Sequence, residues 1–185
     1  PYTTLFRSLL VNAAELGAFN ASTLRFAAVG GARVSVELLL RAQRIGLPVF
    51  EGYGLSECAS VVCLNHPGAN RLGSVGKPLP HVKVRLAEDG EVLIGGAPML
   101  GYLGESPEAT GWWHSGDLGE FDAEGYLYLN GRKKHQFVTS FGRNVNPEWV
   151  EAELTQRSHI AQAFVYGEAM PRNHALLWPH KPDCT

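Results

Sequence analysis

The sequence predicts an α/β layer that gives way to β-rich structure, with a small α+β unit at the C-terminal end. Three observations predict it. Strand-type and helix-type runs alternate between residues 24 and 53, the order that produces parallel strands joined by a crossover helix. After Gly73 the texture changes to short β-type runs, VKVRL, EVLI, GEF and YLYL, separated by Gly, Pro and Asp turns, the mark of antiparallel sheet or a small distorted barrel. Beyond residue 146 one helical run is followed by two further strand-type runs.

In chain order, Leu9 to Gly17 carries apolar residues at helical spacing and ends at a glycine, a helix stop. Leu24 to Val29 (LRFAAV) is a short apolar strand entering the Gly30-Gly31 turn. Ser35 to Arg44 has the spacing of a helix, with Ser35 as N-cap and Gly46 at the stop. Pro48 to Tyr53 is the next strand. Residues 132–147 (RKKHQFVTSFGRNVNP) are basic and turn-rich. Pro147 to Gln156 is a helix: Asn146 caps it, Pro147 suits the first position, and Glu148 and Glu151 favour the positive N-terminal end. AQAFVYG and ALLWP are strands of the last unit.

Bulk properties exclude several classes. The chain has 185 residues, 45% hydrophobic and 18% charged, an ordinary globular balance. A net charge of -2 offers no broad electrostatic attraction for nucleic acid or an anionic membrane. The longest apolar stretches fall far short of a membrane-spanning helix, and the first residues lack the features of a signal peptide. The three cysteines, Cys58, Cys63 and Cys184, have no metal-ligand spacing and read as free thiols in a reducing compartment, so the expected location is cytoplasmic. The seven histidines are scattered without paired-ligand spacing. One legal back-translation of residues 1–8 (PYTTLFRS) resembles a common sequencing-adapter oligonucleotide, so they are expected to be foreign to the fold; the alternative is a natural strand or loop.

The most informative segment is FEGYGLSE, Phe50 to Glu57. Gly52 and Gly54 let backbone approach a ligand closely, and Tyr53 offers a flat face for a purine. Ser56 can donate to a phosphate oxygen. Glu57 can hold Mg²⁺, which binds through one or two carboxylates plus substrate phosphates. Alone, the segment reads first as a Gly-Tyr-Gly turn with a capping Ser and Glu. It stands, however, in an ordered series: VGGARVS (Val29 to Ser35), FEGYGLSE, GSVGKPLP (Gly73 to Pro80), GEVLIGG with GYLG, GWWHSGDLG (Gly111 to Gly119) and GRKKHQFVTSFGRNVNPEWVE (Gly131 to Glu151).

This series resembles the adenylate-forming superfamily, which includes acyl-CoA synthetases, luciferases and the adenylation domains of peptide synthetases. The resemblance covers roughly residues 9 to 180 and points to the acyl-CoA synthetase branch. It implies that residues 9–131 are the C-terminal portion of the large AMP-binding domain, and that 132–185 are the hinge and a truncated small C-terminal domain. It also implies that Gly30, Gly31, Ala32 and Tyr53, with Gly52 and Gly54 beside it, enclose adenine. Ser56, where Thr is commoner, contacts the α-phosphate, and Glu57 is the magnesium carboxylate. Asp117 accepts from both ribose hydroxyls; in isolation it fits a turn cap equally well. Arg132 reaches ribose or phosphate, and Lys134 is the hinge. His135 departs from the acidic residue common there. Gly142 lines the thiol's approach, while Arg143 is either a phosphate contact or an exposed arginine. Trp112 and Trp113 are expected to pack against sheet, His114 to be structural, and Cys58 to be a small buried hydrophobe.

The implied reaction joins a carboxylic acid, ATP and coenzyme A: Mg²⁺-dependent formation of an acyl-adenylate, then transfer to the thiol with release of AMP. A fatty acid is the favoured substrate. No phosphate loop ending in Lys precedes Val29, and Lys181 lacks the context of the family's closing lysine. The chain is therefore expected to be an internal fragment, inactive by itself. Two other readings are an amino-acid adenylation domain and a nucleotide-sensing domain without turnover.

Overall fold

The computed structural model describes residues 10–18, 20, 24–96, 98–104, 111–155, 157 and 159–179. Residues 1–8, Lys181 and Cys184 lie outside them. The chain divides into two compact units: residues up to Ser115 with Gly119–Leu129, and Gly116–Leu118 with the residues from Asn130 onward.

In the first unit, residues 10–15 are helical and Gly17 follows at a φ of 72°. Strand β1 (Ala27–Val29) leads through the Gly30-Gly31 turn to helix α1 (Val36–Arg44), and the chain returns as β2 (Val49–Tyr53), parallel to β1 with Ala27 opposite Val49. The sequence signals act as expected here. The Ser35 hydroxyl oxygen accepts from Leu38 N at 3.1 Å, Glu37 lies in the first turn, and Arg41 and Arg44 lie in the last; each group opposes the partial charge of its helix end. Val11, Ala42 and Leu47 form a small core between the first helical segment and α1.

The expected parallel layer is a single pair. The sheet continues from β2 antiparallel to β3 (Cys63–Leu64), and from β3 antiparallel to β4 (Lys77–Pro78). The physical reason is the short link between β2 and β3. It folds into a 3₁₀ turn at Ser56–Cys58, then Ala59 and Ser60 at φ 56° and 72°. A reversal this tight can only return antiparallel, since a parallel return needs a crossover of a dozen residues or more. A second sheet has the order β5 (Lys83–Leu86), β6 (Glu91–Gly95), β7 (Trp113–Phe121), β8 (Leu127–Arg132), with β5 antiparallel to β6. All five residues of β6 are buried. Both sheets feed one core of Tyr53, Cys58, Val62, Cys63, Val75, Val82, Val92, Ile94 and Leu127. Backbone bonds from Val75 N to Leu127 O (2.9 Å) and from Leu127 N to Gly76 O (3.0 Å) stitch the GSVGK segment to β8.

The second unit carries a 3₁₀ turn (Lys133–His135), the antiparallel pair β9 (Phe137–Val138) and β10 (Asn144–Val145), helix α2 (Pro147–Leu154), and the antiparallel pair β11 (Ile160–Tyr166) and β12 (His174–Pro179). The Asn146 side chain caps α2 by accepting from Glu148 N at 3.1 Å. The Glu151 carboxylate accepts from Val165 N at 2.7 Å and ties α2 to β11. Among the described residues, no helix is long and apolar enough to cross a membrane.

Cys58 and Cys63 are free and fully buried. Burial, with the neighbouring Glu57 charge, pushes the Cys58 thiol up to about 11, and burial alone pushes Cys63 up to about 12. An unfolded thiol ionises near its ordinary value of 9.0, while these stay protonated in the fold. Above that pH the native state holds more protons, so stability must fall as pH rises from 9 towards 12. We expect neither thiol to react with iodoacetamide at pH 8 in buffer and both to react in denaturing urea, read by peptide mass spectrometry. Rapid labelling of either in buffer would show that the core opens there.

Candidate functional site

Two loops leave the C-terminal ends of the adjacent parallel strands β1 and β2: residues 30–35 and 54–58. That edge, where neighbouring strands release their chains, is where open α/β layers hold ligands. At Gly30 a side chain would come within 3.1 Å of the Gly52 carbonyl oxygen, so the first loop lies directly against β2. Gly31 has a φ of 76° and nothing within 4 Å of the place a side chain would occupy. Its glycine is demanded by conformation, and its face is open. Ala32 is exposed beside it.

Glu51 holds the first loop in place. It is buried at 5% exposure in the middle of β2, and its Oε1 accepts from Val34 N at 3.1 Å. Its backbone carbonyl accepts from both the backbone and side-chain nitrogens of Asn65, each at 3.0 Å. Asn65, 1% exposed, also donates to the Ser74 carbonyl at 2.7 Å and accepts from Arg71 N at 2.9 Å. Sequence reasoning missed both Glu51 and Asn65. The available signal was a charged residue inside a strand, which is buried only when partnered.

The glycines flanking Tyr53 have a structural occupant. A side chain at Gly52 would meet Leu64 Cδ1 at 2.8 Å and the Cys63 carbonyl oxygen at 3.0 Å; one at Gly54 would meet the Ser60 carbonyl oxygen at 1.6 Å. The chain's own return segment, Ser60 to Leu64, fills that space. Tyr53 is 8% exposed and belongs to the core, so a stacking base would meet only the small open part of its ring.

Ser56 is exposed at the start of the 3₁₀ turn, and Glu57 follows, half-buried. Glu57 Oε1 accepts from the Tyr102 hydroxyl at 2.7 Å, and the Glu57 carbonyl accepts from Met99 N at 2.6 Å. Among the described residues no three His, Cys, Asp or Glu side chains gather as a metal cage. A single carboxylate is the donor set that suits Mg²⁺, which keeps water and phosphate for the remaining positions.

The second unit brings together Asp117 and Arg132. Asp117 is 7% exposed, and its Oδ1 lies 2.8 Å from Arg132 Nε. Gly116, at a φ of 71°, lies inside β7, where an added side chain would sit 3.7 Å from a terminal nitrogen of Arg132. Lys134 lies in the 3₁₀ turn directly after Arg132. Gly142, φ 74°, sits in an open turn closed by its N–H to the Thr139 carbonyl at 2.9 Å. Arg143 is exposed, and its N–H donates to the Thr139 hydroxyl oxygen at 3.2 Å. His114 Nδ1 is 3.2 Å from Glu91 Oε2, Trp113 packs on the core, and Arg85 lies 4.3 Å over the Trp112 ring.

Residues 2–103, more than half of the chain, match the family described as AMP-binding enzyme. The chain belongs to that family. Within the AMP-binding enzymes, it is 40% identical over 159 residues to the long-chain-fatty-acid–CoA ligase FadD15 of Mycobacterium bovis, covering 83% of this chain and 26% of that protein. It is 34% identical over 167 residues to human long-chain-fatty-acid–CoA ligase 1, covering 80% of this chain and 24% of that one. The chain thus spans about a quarter of the length of these relatives. Among solved AMP-binding enzymes, the O-succinylbenzoate coenzyme A synthetase of Bacillus subtilis in complex with AMP superposes with a TM-score of 0.82 at 30% identity, over 97% of this chain and 40% of that one. Its complex with ATP and magnesium gives 0.81 at 30% identity, over 95% and 41%.

Removing the Glu51 carboxylate leaves the buried Val34 N–H without its acceptor. We expect Glu51→Leu to destabilise the chain by about 2 kcal/mol and Glu51→Gln, which keeps an acceptor, by less, measured by urea unfolding followed through tryptophan fluorescence. Equal stability of Glu51→Leu and wild type would show that the loop does not depend on this carboxylate.

Proposed function

We propose that the chain is part of an AMP-forming acid–CoA ligase, and that its two loops form the nucleotide side of that active site. The observation that carries this reading is the placement of the Gly30-Gly31-Ala32 turn and the Ser56-Glu57 turn at the C-terminal ends of adjacent parallel strands, in a chain of the AMP-binding family. Gly30, Gly31, Ala32, Gly52, Tyr53 and Gly54 shape the adenine face, with Gly31 presenting the open backbone. Asp117 accepts from the ribose hydroxyls, and Arg132, bonded to it, holds the carboxylate in one orientation and contributes positive charge. Lys134 is the hinge, residues from 132 onward begin the small C-terminal domain, and Gly142 lines the approach of the thiol. The substrates are a carboxylic acid, ATP and coenzyme A.

In the first half-reaction a carboxylate oxygen of the acid bonds to the α-phosphorus of ATP, the bond from that phosphorus to the bridging oxygen breaks, and pyrophosphate leaves. Ser56 donates its hydroxyl proton as a hydrogen bond to an α-phosphate oxygen, and Glu57 is the carboxylate that would hold magnesium. Bound there, the cation would offset the repulsion between an anionic nucleophile and an anionic phosphate. In the second half-reaction the thiolate sulfur of coenzyme A attacks the acyl carbon and AMP departs, the thiol proton passing to solvent. The fatty acid as substrate draws support from the mycobacterial and human ligases. The cytoplasm as compartment draws support from two unpaired buried thiols.

ATP–pyrophosphate exchange tests the reading. Residues 9–185 alone are expected to give none. The full reading frame is expected to exchange with long-chain fatty acids in preference to aromatic acids such as succinylbenzoate. Glu57→Gln should lower kcat about a hundredfold, and Asp117→Ala should chiefly raise the KM for ATP. Exchange unaffected by Glu57→Gln would remove this site from the chemistry.

A further inference from the structure

Tyr102 lies in the GYLG string, to which the sequence assigns no role. Residues 98–104 form a strap with little burial of its own: Leu100 and Leu103 are 87% and 106% exposed, and the Tyr102 ring is 52% exposed. The strap makes two polar contacts with one residue. Met99 N donates to the Glu57 carbonyl at 2.6 Å, and the Tyr102 hydroxyl donates to Glu57 Oε1 at 2.7 Å. The ring itself stands edge-on to Trp113, centroids 6.1 Å apart and planes at 60°, a favoured aromatic geometry. The order of support therefore runs from a tryptophan packed against the core, through a half-exposed tyrosine, to the carboxylate.

We propose that Tyr102 is a positioning residue for Glu57, holding its carboxylate in the orientation that receives the metal of a Mg·ATP complex. The proposal rests on the ligase reading above. A glutamate on a three-residue 3₁₀ turn has three rotatable side-chain bonds, and fixing them on metal binding costs conformational entropy. A hydroxyl that donates to one oxygen meets part of that cost before the metal arrives, as preorganised sites do. Burial does not explain the tyrosine, since half of its ring faces solvent.

The test is Tyr102→Phe in the full reading frame, which deletes the hydroxyl and keeps the ring against Trp113. Mn²⁺, a paramagnetic stand-in for Mg²⁺, is titrated in the presence of ATP and read by electron paramagnetic resonance. We expect its affinity to fall about five- to tenfold, with the apparent KM for Mg²⁺ rising by a similar factor. At saturating Mg²⁺, kcat should stay within about twofold of wild type, and the near-ultraviolet circular dichroism should be unchanged. Tyr102→Leu, which also loses the Trp113 contact, should weaken Mn²⁺ at least as much. Unchanged Mn²⁺ affinity and Mg²⁺ dependence in Tyr102→Phe would overturn the proposal while leaving the ligase reading intact. A fall in kcat without a change in metal dependence would also overturn it. A wild-type protein that takes up no Mn²⁺ with ATP would overturn the ligase reading, and this role with it.

Discussion

The first unit is organised around one residue of β2. Glu51 uses both its side chain and its backbone carbonyl: the carboxylate takes the Val34 N–H, and the carbonyl takes both nitrogens of Asn65. Asn65 in turn reaches Ser74 and Arg71, and the Ser74 hydroxyl accepts from Gly76 N at 3.2 Å. A buried polar group without partners is costly, whereas a network in which each member is satisfied makes one arrangement much better than its competitors. The GGA turn, the return strand β3 and the GSVGK segment are therefore fixed relative to one another by hydrogen bonds through a single strand position. The apolar core supplies most of the driving force but little directional information; this network supplies the direction.

The glycines divide by what lies opposite them. Gly52, Gly54 and Gly76 are required because the chain's own backbone or side chains occupy the space a side chain would fill; at Gly76 that neighbour is the Leu64 carbonyl carbon at 2.0 Å. Gly31 and Gly142 are required by positive φ and face open space. The first group lets strands close up, and the second leaves exposed backbone. A glycine-rich string thus contains two different devices, and only one of them is available to a ligand.

Electrostatically, the candidate carboxylates Glu57 and Asp117 are arranged differently. Glu57 is half-buried and receives a hydroxyl; Asp117 is nearly buried and receives a guanidinium. A hydroxyl orients a carboxylate without adding an opposing charge, whereas a guanidinium both orients and offsets it. The same physical logic makes Cys58, directly after Glu57, a poor nucleophile: buried and beside a negative charge, its thiol is held protonated.

Much of this was legible in the sequence because it is local. Helix α1 with its Ser35 cap, α2 with Asn146 and Pro147, and the strand runs on either side of each turn follow from propensity, capping and period, which operate over a few residues. The family likeness and the candidate residues 30–32, 53, 56, 57, 117 and 132 followed from ordered motifs. What tertiary structure alone decided is what those residues touch. The expected parallel layer is the β1–β2 pair; tertiary structure alone decided that its sheet continues antiparallel into β3, because the link through Ser56–Cys58 is too short for a parallel crossover. Tyr53 reads in the string GYG as a flat face for a purine and is buried in the fold, because it packs into the core that the two sheets share. The Glu57–Tyr102 bond joins residues 45 positions apart, and the Glu51–Val34 bond joins residues 17 apart. No local period encodes such pairs; they arise only once sheets and loops have packed.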